Sequence, residues 1–269
     1  MPDFSSKTVV VTGCSSGVGA AAVTKLAAQG ATVIGVDRVA STDSAVARMV
    51  VGDLSTHAGV LAIADRIDGP IDVLINNAGV AATLPWRTVL SINTLAPRDL
   101  TRALLPKFGP EPVVVTTASQ AGFMWQQNFA RLNAFLAIDD WDAALDSLAD
   151  FPDIDTVCYN LSKEAAIINS GNLAVDGKHI GLRSNSASPG TIGTPLLKDF
   201  TATMGAENIE GAAIWAGRHA RAEEIADALL FLASSEASWI SGADLPLDGG
   251  LSSMVFRNYI APAMAAAAQ

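Results

Sequence analysis

The chain has 269 residues, of which 50% are hydrophobic and 16% are charged, so it has enough apolar material for a sheet covered by helices on both faces. Its formal net charge of -10 repels phosphate backbones and anionic lipids, which excludes nucleic acid as an expected partner. Residues 1–7 lack the features of a signal peptide and no apolar run is long enough to cross a bilayer, so we expect a cytoplasmic protein with no membrane partner.

Runs rich in β-branched residues alternate along the chain with segments that carry apolar residues at helical spacing. The runs predict strands over residues 7–12, 32–36, 49–51, 71–75, 113–117, 181–187 and 243–247. The spaced segments predict helices over residues 18–28, 57–67, 94–107, 159–175 and 222–233. This alternation is typical of a doubly wound parallel sheet. We therefore expect an α/β fold with a single Rossmann-type domain over residues 1–269 and about seven strands.

Two segments do not follow the alternation. Residues 122–155 precede the helix that carries Tyr159, and their spacing predicts an insertion of two amphipathic helices. The expected apolar faces of these helices consist of Phe129, Leu132, Phe135 and Leu136 in the first and Trp141, Ala144, Leu145 and Leu148 in the second. We expect these faces to form a core within the insertion. Residues 195–220 are predicted to form a substrate lid, and residues 252–269 a C-terminal tail.

A glycine-rich stretch lies between the first predicted strand and the first predicted helix, over residues 12–19. Glycines at this place permit a tight turn and let a pyrophosphate approach the backbone, while the helix N-terminus faces the negative charge. The predicted dinucleotide contacts in this stretch are Gly13, Ser15, Ser16, Gly17, Val18 and Gly19.

Acidic residues follow the second and third predicted strands. The carboxylate of Asp37 can accept both ribose hydroxyls of an adenosine and would repel a 2′-phosphate, which favours NAD over NADP. The neighbouring Arg38 is the residue that could favour a phosphate instead. Asp53 and Leu54 stand where an adenine ring would lie, although Asp53 could equally cap the next helix.

Cys14 and Cys158 are too few for a disulfide framework, and neither has His or Cys neighbours at the spacing of a zinc site. We expect two reduced thiols and no metal site. The three histidines are far apart in sequence, and none of them is assigned to catalysis.

Tyr159 and Lys163 are four residues apart and therefore share one face of a helix. A nearby cation favours the phenolate, so we expect the pKa of the phenol to be lowered by roughly one to three units. A phenol with a lowered pKa can exchange a proton with a substrate hydroxyl or carbonyl.

Together these features resemble the short-chain dehydrogenase/reductase family over nearly the whole chain. The matching motifs, in order, are residues 12–19, Asp53-Leu54, Asn76-Asn77-Ala78-Gly79, Asn93, Ser119, Tyr159 with Lys163, Pro189-Gly190 with Thr194, and Asp248-Gly249-Gly250. The last of these is interpreted as a structural turn.

The resemblance implies a role for each residue of the reaction site. Ser119 would hydrogen-bond the substrate oxygen, and Tyr159 would act as the acid/base. Lys163 would bind the nicotinamide ribose and tune the phenol, while Asn93 would hold a proton-relay water. The cofactor contacts implied beyond the glycine-rich stretch are Asn77, Ala78, Gly79, Tyr159, Lys163, Pro189, Gly190, Ile192 and Thr194.

Ser119 and Tyr159 are 40 residues apart, a longer gap than in most of the family. The insertion resembles that of the branch containing bacterial 3α-hydroxysteroid dehydrogenase/carbonyl reductase and coniferyl alcohol dehydrogenase. In that branch it covers the face through which other members form tetramers. We therefore expect a homo-oligomer, either a dimer or a tetramer.

The resemblance predicts an NAD-dependent oxidoreductase that interconverts a bulky, ring-bearing alcohol and its ketone or aldehyde. Phe123 and Trp125 are the predicted substrate contacts beside Ser119. One alternative is a hydroxysteroid dehydrogenase or carbonyl reductase, and another is a dinucleotide-binding sensor or scaffold without activity. An enoyl reductase is disfavoured, because related enoyl reductases space the tyrosine and the lysine more widely.

Overall fold

A computed structural model describes residues 2–267 and contains one seven-stranded sheet. The strands are β1 (Thr8–Thr12), β2 (Thr32–Asp37), β3 (Arg48–Val51), β4 (Ile71–Asn76), β5 (Phe108–Thr117), β6 (Arg183–Pro189) and β7 (Asp244–Leu247). All neighbouring strands are parallel, in the order β3-β2-β1-β4-β5-β6-β7. This confirms the predicted doubly wound sheet. The strand order reverses between β1 and β4, which opens a crevice at the carboxyl edge where such sheets bind ligands.

Helices cover both faces of the sheet. They are α1 (Gly17–Ala28), α2 (His57–Asp65), α3 (Trp86–Leu90), α4 (Ala96–Leu104), α5 (Phe129–Ala137), α6 (Trp141–Asp146), α7 (Ile154–Asp176), α8 (Leu197–Met204), α9 (Ala206–Ala216), α10 (Ala222–Ala233), α11 (Leu251–Val255) and α12 (Ala261–Ala267). Two π-helical turns, at Ser91–Leu95 and Phe256–Ile260, join α3 to α4 and α11 to α12. Short 3₁₀ turns lie at Leu105–Lys107, Gln120–Gly122, Trp125–Asn128, Gly177–Ile180 and Ser235–Ala237.

The alternation of side chains along β1 divides the interior into two apolar layers. Val9 and Val11 pack in a core shared with α1 and α10, whereas Val10 packs on the opposite face with α2, α4 and α7. Because both faces are covered, the central strands are apolar throughout rather than alternately polar. The sheet is thereby held between two helical layers, and its carboxyl edge remains available for a site.

The insertion contains the two predicted helices, α5 and α6, but it has no separate core. Its buried side chains, among them Phe135 and Trp141, belong to the same apolar cluster as α2, α4 and α7. The expectation of a core within the insertion was therefore wrong. The predicted face was also wrong at Phe129, which is 42% exposed because it precedes the part of α5 that packs on the main body.

Arg98 on α4 fastens the insertion to the sheet layer. Its side chain is 1% exposed, and it donates hydrogen bonds to the main-chain oxygens of Leu136, at 3.3 Å, and Ile138, at 2.7 Å. The same guanidinium pairs with the carboxylate of Asp99 at 2.6 Å. A buried Arg that satisfies two carbonyls and a carboxylate holds the end of α5 in a fixed place.

Several predicted boundaries differ from the structure, and two of them are explained by local features. The helix predicted over residues 94–107 begins earlier, with α3, and α4 ends at Leu104. β5 begins at Phe108, ahead of the start predicted at residue 113, and includes Pro110 and Pro112. The prolines are tolerated because β6 pairs with β5 only from Val113 onwards, and the pairing with β4 is irregular over the same stretch.

The predicted lid, residues 195–220, contains α8 and α9, and the tail contains α11 and α12. The last two residues of the tail, 268–269, lie outside the described residues. Within residues 2–267 no helix is long and apolar enough to cross a membrane.

Candidate active site

The glycine-rich loop joins the end of β1 to the start of α1 and has no room for side chains at two of its glycines. Gly13 has a φ of +68°, and a Cβ there would lie 2.9 Å from the Cα of Ala78. A Cβ on Gly19 would lie 2.0 Å from the carbonyl oxygen of Gly13. Ser16 precedes α1 without a side-chain hydrogen bond to the helix. The loop therefore presents backbone N–H groups and a helix N-terminus at close range, as an anion site requires.

Asp37 is the last residue of β2 and lies beside this loop. Its two carboxylate oxygens accept the N–H of Ser15, at 3.0 Å, and the N–H of Val39, at 3.2 Å. The side chain is half-buried, whereas Arg38 is exposed. Each oxygen retains a second lone pair, so the fixed carboxylate can accept further hydrogen bonds from a diol.

The end of β4 is tied to the end of β1 by a single hydroxyl. The Oγ1 of Thr12 accepts the N–H groups of both Asn77 and Ala78 at 3.0 Å, and the amide of Asn77 donates to the main-chain oxygen of Thr12 at 3.2 Å. Asn77 also accepts the hydroxyl of Thr117 on β5 at 3.2 Å. These bonds fix the edge of three neighbouring strands, and Gly79 follows at the same edge.

Asp53 and Leu54 follow β3, as predicted. The carboxylate of Asp53 is exposed and accepts both the N–H and the hydroxyl of Ser55 at 2.8 Å. The cap of α2 is Thr56, whose hydroxyl accepts the N–H of Gly59. Asp53 therefore shapes the turn before α2 and does not cap the helix itself.

Ser119, Tyr159 and Lys163 meet at the carboxyl edge of β5. Tyr159 and Lys163 project from one face of α7 and are 7% and 5% exposed. The hydroxyl of Ser119 lies near that of Tyr159 and favours its phenolate form. Lys163 donates to the main-chain oxygen of Thr117 at 3.0 Å, and its Nζ lies 5.8 Å from the centre of the Tyr159 ring. Ser119 also accepts the N–H of Ala121 at 3.1 Å, so its own proton can be donated to another oxygen.

The electrostatics of this group differ from the sequence-based expectation. Burial raises the pKa of Tyr159 to about 12, and only the hydrogen bond from Ser119 acts in the opposite direction. Burial also lowers the pKa of Lys163 to about 8. The expected lowering of the phenol pKa by the lysine was therefore wrong for this arrangement, because desolvation disfavours both charged forms.

Asn93 lies in the π-helical turn between α3 and α4 and is buried. Its amide oxygen accepts the N–H of Val80, and its amide nitrogen donates to the carbonyl of Val80, both at 2.9 Å. The same nitrogen donates to the hydroxyl of Ser162 at 3.1 Å, and Ser162 donates to the carbonyl of Tyr159 at 2.7 Å. Asn93 therefore connects the loop after β4 to the helix that carries Tyr159.

The remaining predicted cofactor contacts lie at the end of β6 and directly after it; they are Pro189, Gly190, Ile192 and Thr194. The Cγ2 of Thr194 lies 3.3 Å from the place where a Cβ on Gly17 would lie. Ile192 forms a parallel bridge with Ala220, which anchors both ends of the predicted lid to each other. The segment after β6 is thus brought against the glycine-rich loop.

The two predicted substrate contacts occupy different environments. Phe123 is half-buried directly after the turn that follows Ser119. Trp125 packs against a small apolar cluster that contains Ala118 and Ala166, and its ring makes an edge contact with Phe129. Packing accounts for the place of Trp125, whereas Phe123 is the nearer of the two to Ser119 in the chain.

Three residues of this region were not predicted from the sequence. Phe200 on α8 places its ring on that of Tyr159, with the ring centres 5.0 Å apart. Ser162 connects Asn93 to Tyr159. A Cβ on Gly122 would lie 2.8 Å from the carbonyl carbon of Lys163. The hydroxyl between Tyr159 and Lys163 was a signal for Ser162, whereas no local pattern distinguished Phe200 or Gly122.

Two family models match the chain. The model described as short chain dehydrogenase matches residues 7–134, which include the glycine-rich loop and Ser119. The model described as Enoyl-(Acyl carrier protein) reductase matches residues 145–252, which include Tyr159 and Lys163.

Proteins of known sequence and structure are similar to this chain over nearly its whole length. Coniferyl-alcohol dehydrogenase from Pseudomonas sp. (strain HR199 / DSM 7063) is 34% identical, over 93% of this chain and 98% of its own. Meso-2,3-butanediol dehydrogenase from Serratia marcescens is 30% identical, over 92% and 95%. Among solved structures, the 3-alpha-hydroxysteroid dehydrogenase from Pseudomonas sp. B-0831 complexed with NADH is 29% identical, with a TM-score of 0.81 over 94% of this chain and 99% of that one. The chain belongs to the short-chain dehydrogenase/reductase family of oxidoreductases.

Proposed function

We propose that the protein is an NAD-dependent dehydrogenase that interconverts a ring-bearing alcohol and its ketone or aldehyde, with Tyr159 as the acid/base. One observation carries the proposal: Tyr159, Ser119 and Lys163 meet at the carboxyl edge of the sheet. A phenol, a hydroxyl and an ammonium at this place are the groups that proton transfer to and from a substrate oxygen requires.

The residues at the sheet edge fit a dinucleotide. At Gly13 and Gly19 the loop has no space for a Cβ, so its backbone can come close to a pyrophosphate. The side chain of Ser16 does not occupy the N–H groups of the first turn of α1, and that turn contains no acidic residue. An anion at the start of α1 would therefore meet hydrogen-bond donors and the positive end of the helix dipole.

Asp37 supports NAD as the cofactor. Two backbone N–H groups hold its carboxylate at the end of β2, where a ribose diol would donate to it. A 2′-phosphate at the same place would bring two negative charges together. Similar solved structures contain either cofactor, NADH in the hydroxysteroid dehydrogenase and NADP in a putative gluconate 5-dehydrogenase from Beutenbergia cavernae, so the preference rests on Asp37.

The proton step is assigned to the side chains of this chain. Bound NAD supplies the nicotinamide ring that accepts a hydride from the carbinol carbon. As the hydride leaves, the phenolate of Tyr159 takes the proton of the substrate hydroxyl, and Ser119 donates a hydrogen bond to the substrate oxygen. Lys163, whose Nζ lies 5.8 Å from the centre of the Tyr159 ring, is the cation that would face the phenolate as it forms, although burial outweighs its effect on the pKa of the phenol.

Asn93 is proposed to hold a relay water through its main chain. The side-chain amide donates both its hydrogens, to Val80 and Ser162, and its oxygen accepts one hydrogen bond. A π-helical turn shifts the backbone hydrogen bonds from the regular α-helical pattern, so a carbonyl in this turn is a suitable water ligand.

The substrate class rests on the names of similar proteins and on the half-buried Phe123 near Ser119. Coniferyl alcohol and hydroxysteroids contain rings, whereas meso-2,3-butanediol is small and acyclic. By resemblance, the dehydrogenases of coniferyl alcohol and of hydroxysteroids share the aromatic insertion, which favours a ring-bearing substrate. A hydroxysteroid dehydrogenase or carbonyl reductase is the second candidate, and a dinucleotide-binding sensor is the alternative without chemistry.

A screen for NADH formation tests both the activity and the substrate class. Purified protein is incubated with NAD, or separately NADP, and with aryl alcohols, cinnamyl-type alcohols, amino alcohols, hydroxysteroids and 2,3-butanediol. We expect reduction of NAD by at least one ring-bearing alcohol, with a higher kcat/KM than for butanediol. Binding of NAD in calorimetry without reduction by any alcohol would support the sensor instead, and reduction of NADP alone would overturn the choice of cofactor.

We also propose that the chain forms a homo-oligomer. The insertion packs over α4 and α7, so we expect an assembly to use another face of the molecule. Light scattering on the purified protein gives its mass: a dimer or tetramer supports the proposal, and a monomer at micromolar concentration contradicts it.

A further inference from the structure

The ring of Phe200 covers the ring of Tyr159. The two ring centres are 5.0 Å apart and the ring planes cross at 63°, which is an edge-to-face contact. Ser119 approaches Tyr159 from the segment after β5 and Lys163 from its own helix, so Phe200 is the contact contributed by the lid. With these groups around it, Tyr159 is only 7% exposed. An alcohol that reaches the phenol from the lid side must therefore displace Phe200.

The helix that carries Phe200 is held weakly to the rest of the chain. None of the residues of α8 is buried, and its main packing partner is α9, which is itself largely exposed. Gly205 follows α8 with a φ of +86°, a conformation that favours glycine and allows a bend at this point. A surface helix with few apolar contacts opens at low cost compared with the core.

We propose that Phe200 is a specificity-determining residue, which covers Tyr159 and, once displaced, packs its ring against the ring of the substrate. This inference rests on the proposed dehydrogenase function. Every substrate breaks the contact between Phe200 and Tyr159, but only a ring-bearing substrate offers Phe200 the face of a ring to pack on in return, and this contact is aromatic where the ring is an aryl group. Phe200 thereby favours ring-bearing alcohols over small acyclic ones.

Kinetics of Phe200→Ala test the preference. The variant should have a higher kcat/KM for a small acyclic alcohol, since nothing has to be displaced, and a lower kcat/KM for a ring-bearing alcohol. The ratio of the two values should fall about tenfold, in line with the worth of one aromatic contact. Phe200→Trp should keep the ratio within about threefold of the native value. Thr203→Ala, an exposed position on the same helix, is the matched control and should leave the ratio unchanged.

A second measurement needs no activity. The chain has two tyrosines, so in a Tyr259→Phe background a ¹³C-tyrosine label reports on Tyr159 alone. Phe200→Ala should move the Tyr159 ring resonance, because the ring current of Phe200 is lost. It should also bring the onset of deprotonation to a lower pH, because water reaches the phenol while Lys163 stays in place. Thr203→Ala should change neither.

The two measurements separate the possible failures. An unchanged resonance in Phe200→Ala shows that Phe200 does not cover Tyr159 in solution, and it overturns the inference whether or not the protein is active. A changed resonance with an unchanged kcat/KM ratio overturns the role in specificity. A changed resonance in a protein that oxidises no alcohol overturns the proposed function, and with it the role in specificity, although Phe200 then does contact Tyr159 in solution.

Discussion

At the scale of single residues, burial governs the chemistry of the site. Tyr159 and Lys163 are both almost inaccessible to solvent. Burial raises the pKa of Tyr159 and lowers that of Lys163, so it favours the neutral form of each group. Perturbed pKa values cluster at functional sites, where burial and neighbouring charges surround the reacting groups. The same burial has a cost in stability, since the native chain must hold an ammonium that water would solvate better.

Lys163→Met should therefore stabilise the protein at pH 7. The pKa of Lys163 is about 8 in the folded chain against 10.5 for an unperturbed lysine, so between these values the unfolded chain binds more protons than the native one. The native protein should gain up to roughly 3 kcal/mol of unfolding free energy as the pH rises through this window, relative to the variant. Above pH 10 the raised pKa of Tyr159 acts in the opposite direction.

Urea unfolding of both proteins from pH 7 to pH 10 measures this difference. The unfolding free energy of the native protein should approach that of the variant as the pH rises. A variant that is less stable than the native protein at pH 7 would show that the hydrogen bond from Lys163 to Thr117 outweighs the burial of the charge.

Asp37→Ala tests the choice of cofactor. Removal of a charged hydrogen-bond acceptor should lower kcat/KM for NAD about tenfold to a hundredfold and narrow the preference over NADP. Asp43→Ala removes the same charge from the exposed loop after β2 and should leave the preference unchanged. If both variants behave alike, the effect of Asp37 is one of overall charge, and its assignment to the ribose fails.

At the scale of elements, α7 is positioned by close backbone contact as well as by apolar packing. The turn after Ser119 approaches α7 so closely that a Cβ on Gly122 would lie 2.8 Å from the carbonyl carbon of Lys163 and 2.9 Å from the nitrogen of Glu164. Neither of these backbone atoms can move without moving the helix. The distance between the turn after Ser119 and the face of α7 that carries Tyr159 and Lys163 therefore depends on a glycine at this position.

Gly122→Ala should separate Ser119 from Tyr159 and lower turnover about tenfold to a hundredfold, while binding of NAD is retained. Gly171→Ala, on α7, is the control. A Cβ there meets nothing within 4 Å, so helix propensity should make this variant up to about 1 kcal/mol more stable than the native protein. Measured turnover and calorimetric Kd values for NAD decide the matter. Native turnover in Gly122→Ala would mean that the contact is not tight in solution.

The elements that follow from local pattern were predictable, and those set by distant contacts were not. Strict apolar runs and the glycine-rich loop predicted β1, α1 and the dinucleotide edge, since both signals are local. Phe129 was misplaced because exposure depends on where α5 begins to pack on the main body. The role of Phe200 and the raised pKa of Tyr159 depend on an approach between α7 and α8 that no sequence spacing encodes.

At the scale of the whole molecule, the insertion and the sheet share one apolar interior. Side chains of α5 and α6 pack in the same cluster as α2, α4 and α7, and Arg98 ties the main chain of the insertion to α4. We propose that the chain is a single domain that unfolds as one unit. An insertion with its own core would be able to unfold first.

Arg98→Met should lower the stability of the entire chain by about 3–5 kcal/mol, because it leaves the carboxylate of Asp99 buried without its main partner. Calorimetry should show one transition at a reduced Tm. Arg102→Ala removes a half-exposed guanidinium one turn later and should cost at most about 1 kcal/mol. Two separate transitions in either protein would contradict a single domain.

The account depends above all on Tyr159 as the group that moves the proton. The direct measurement compares NADH formation by the native protein and by Tyr159→Phe with the best ring-bearing alcohol, alongside the Kd of each protein for NAD. We predict nearly equal Kd values and a turnover that is lower by about 10²–10⁴-fold in the variant, since only the proton step is removed. Equal turnover in the two proteins would contradict the assignment of Tyr159 as the acid/base.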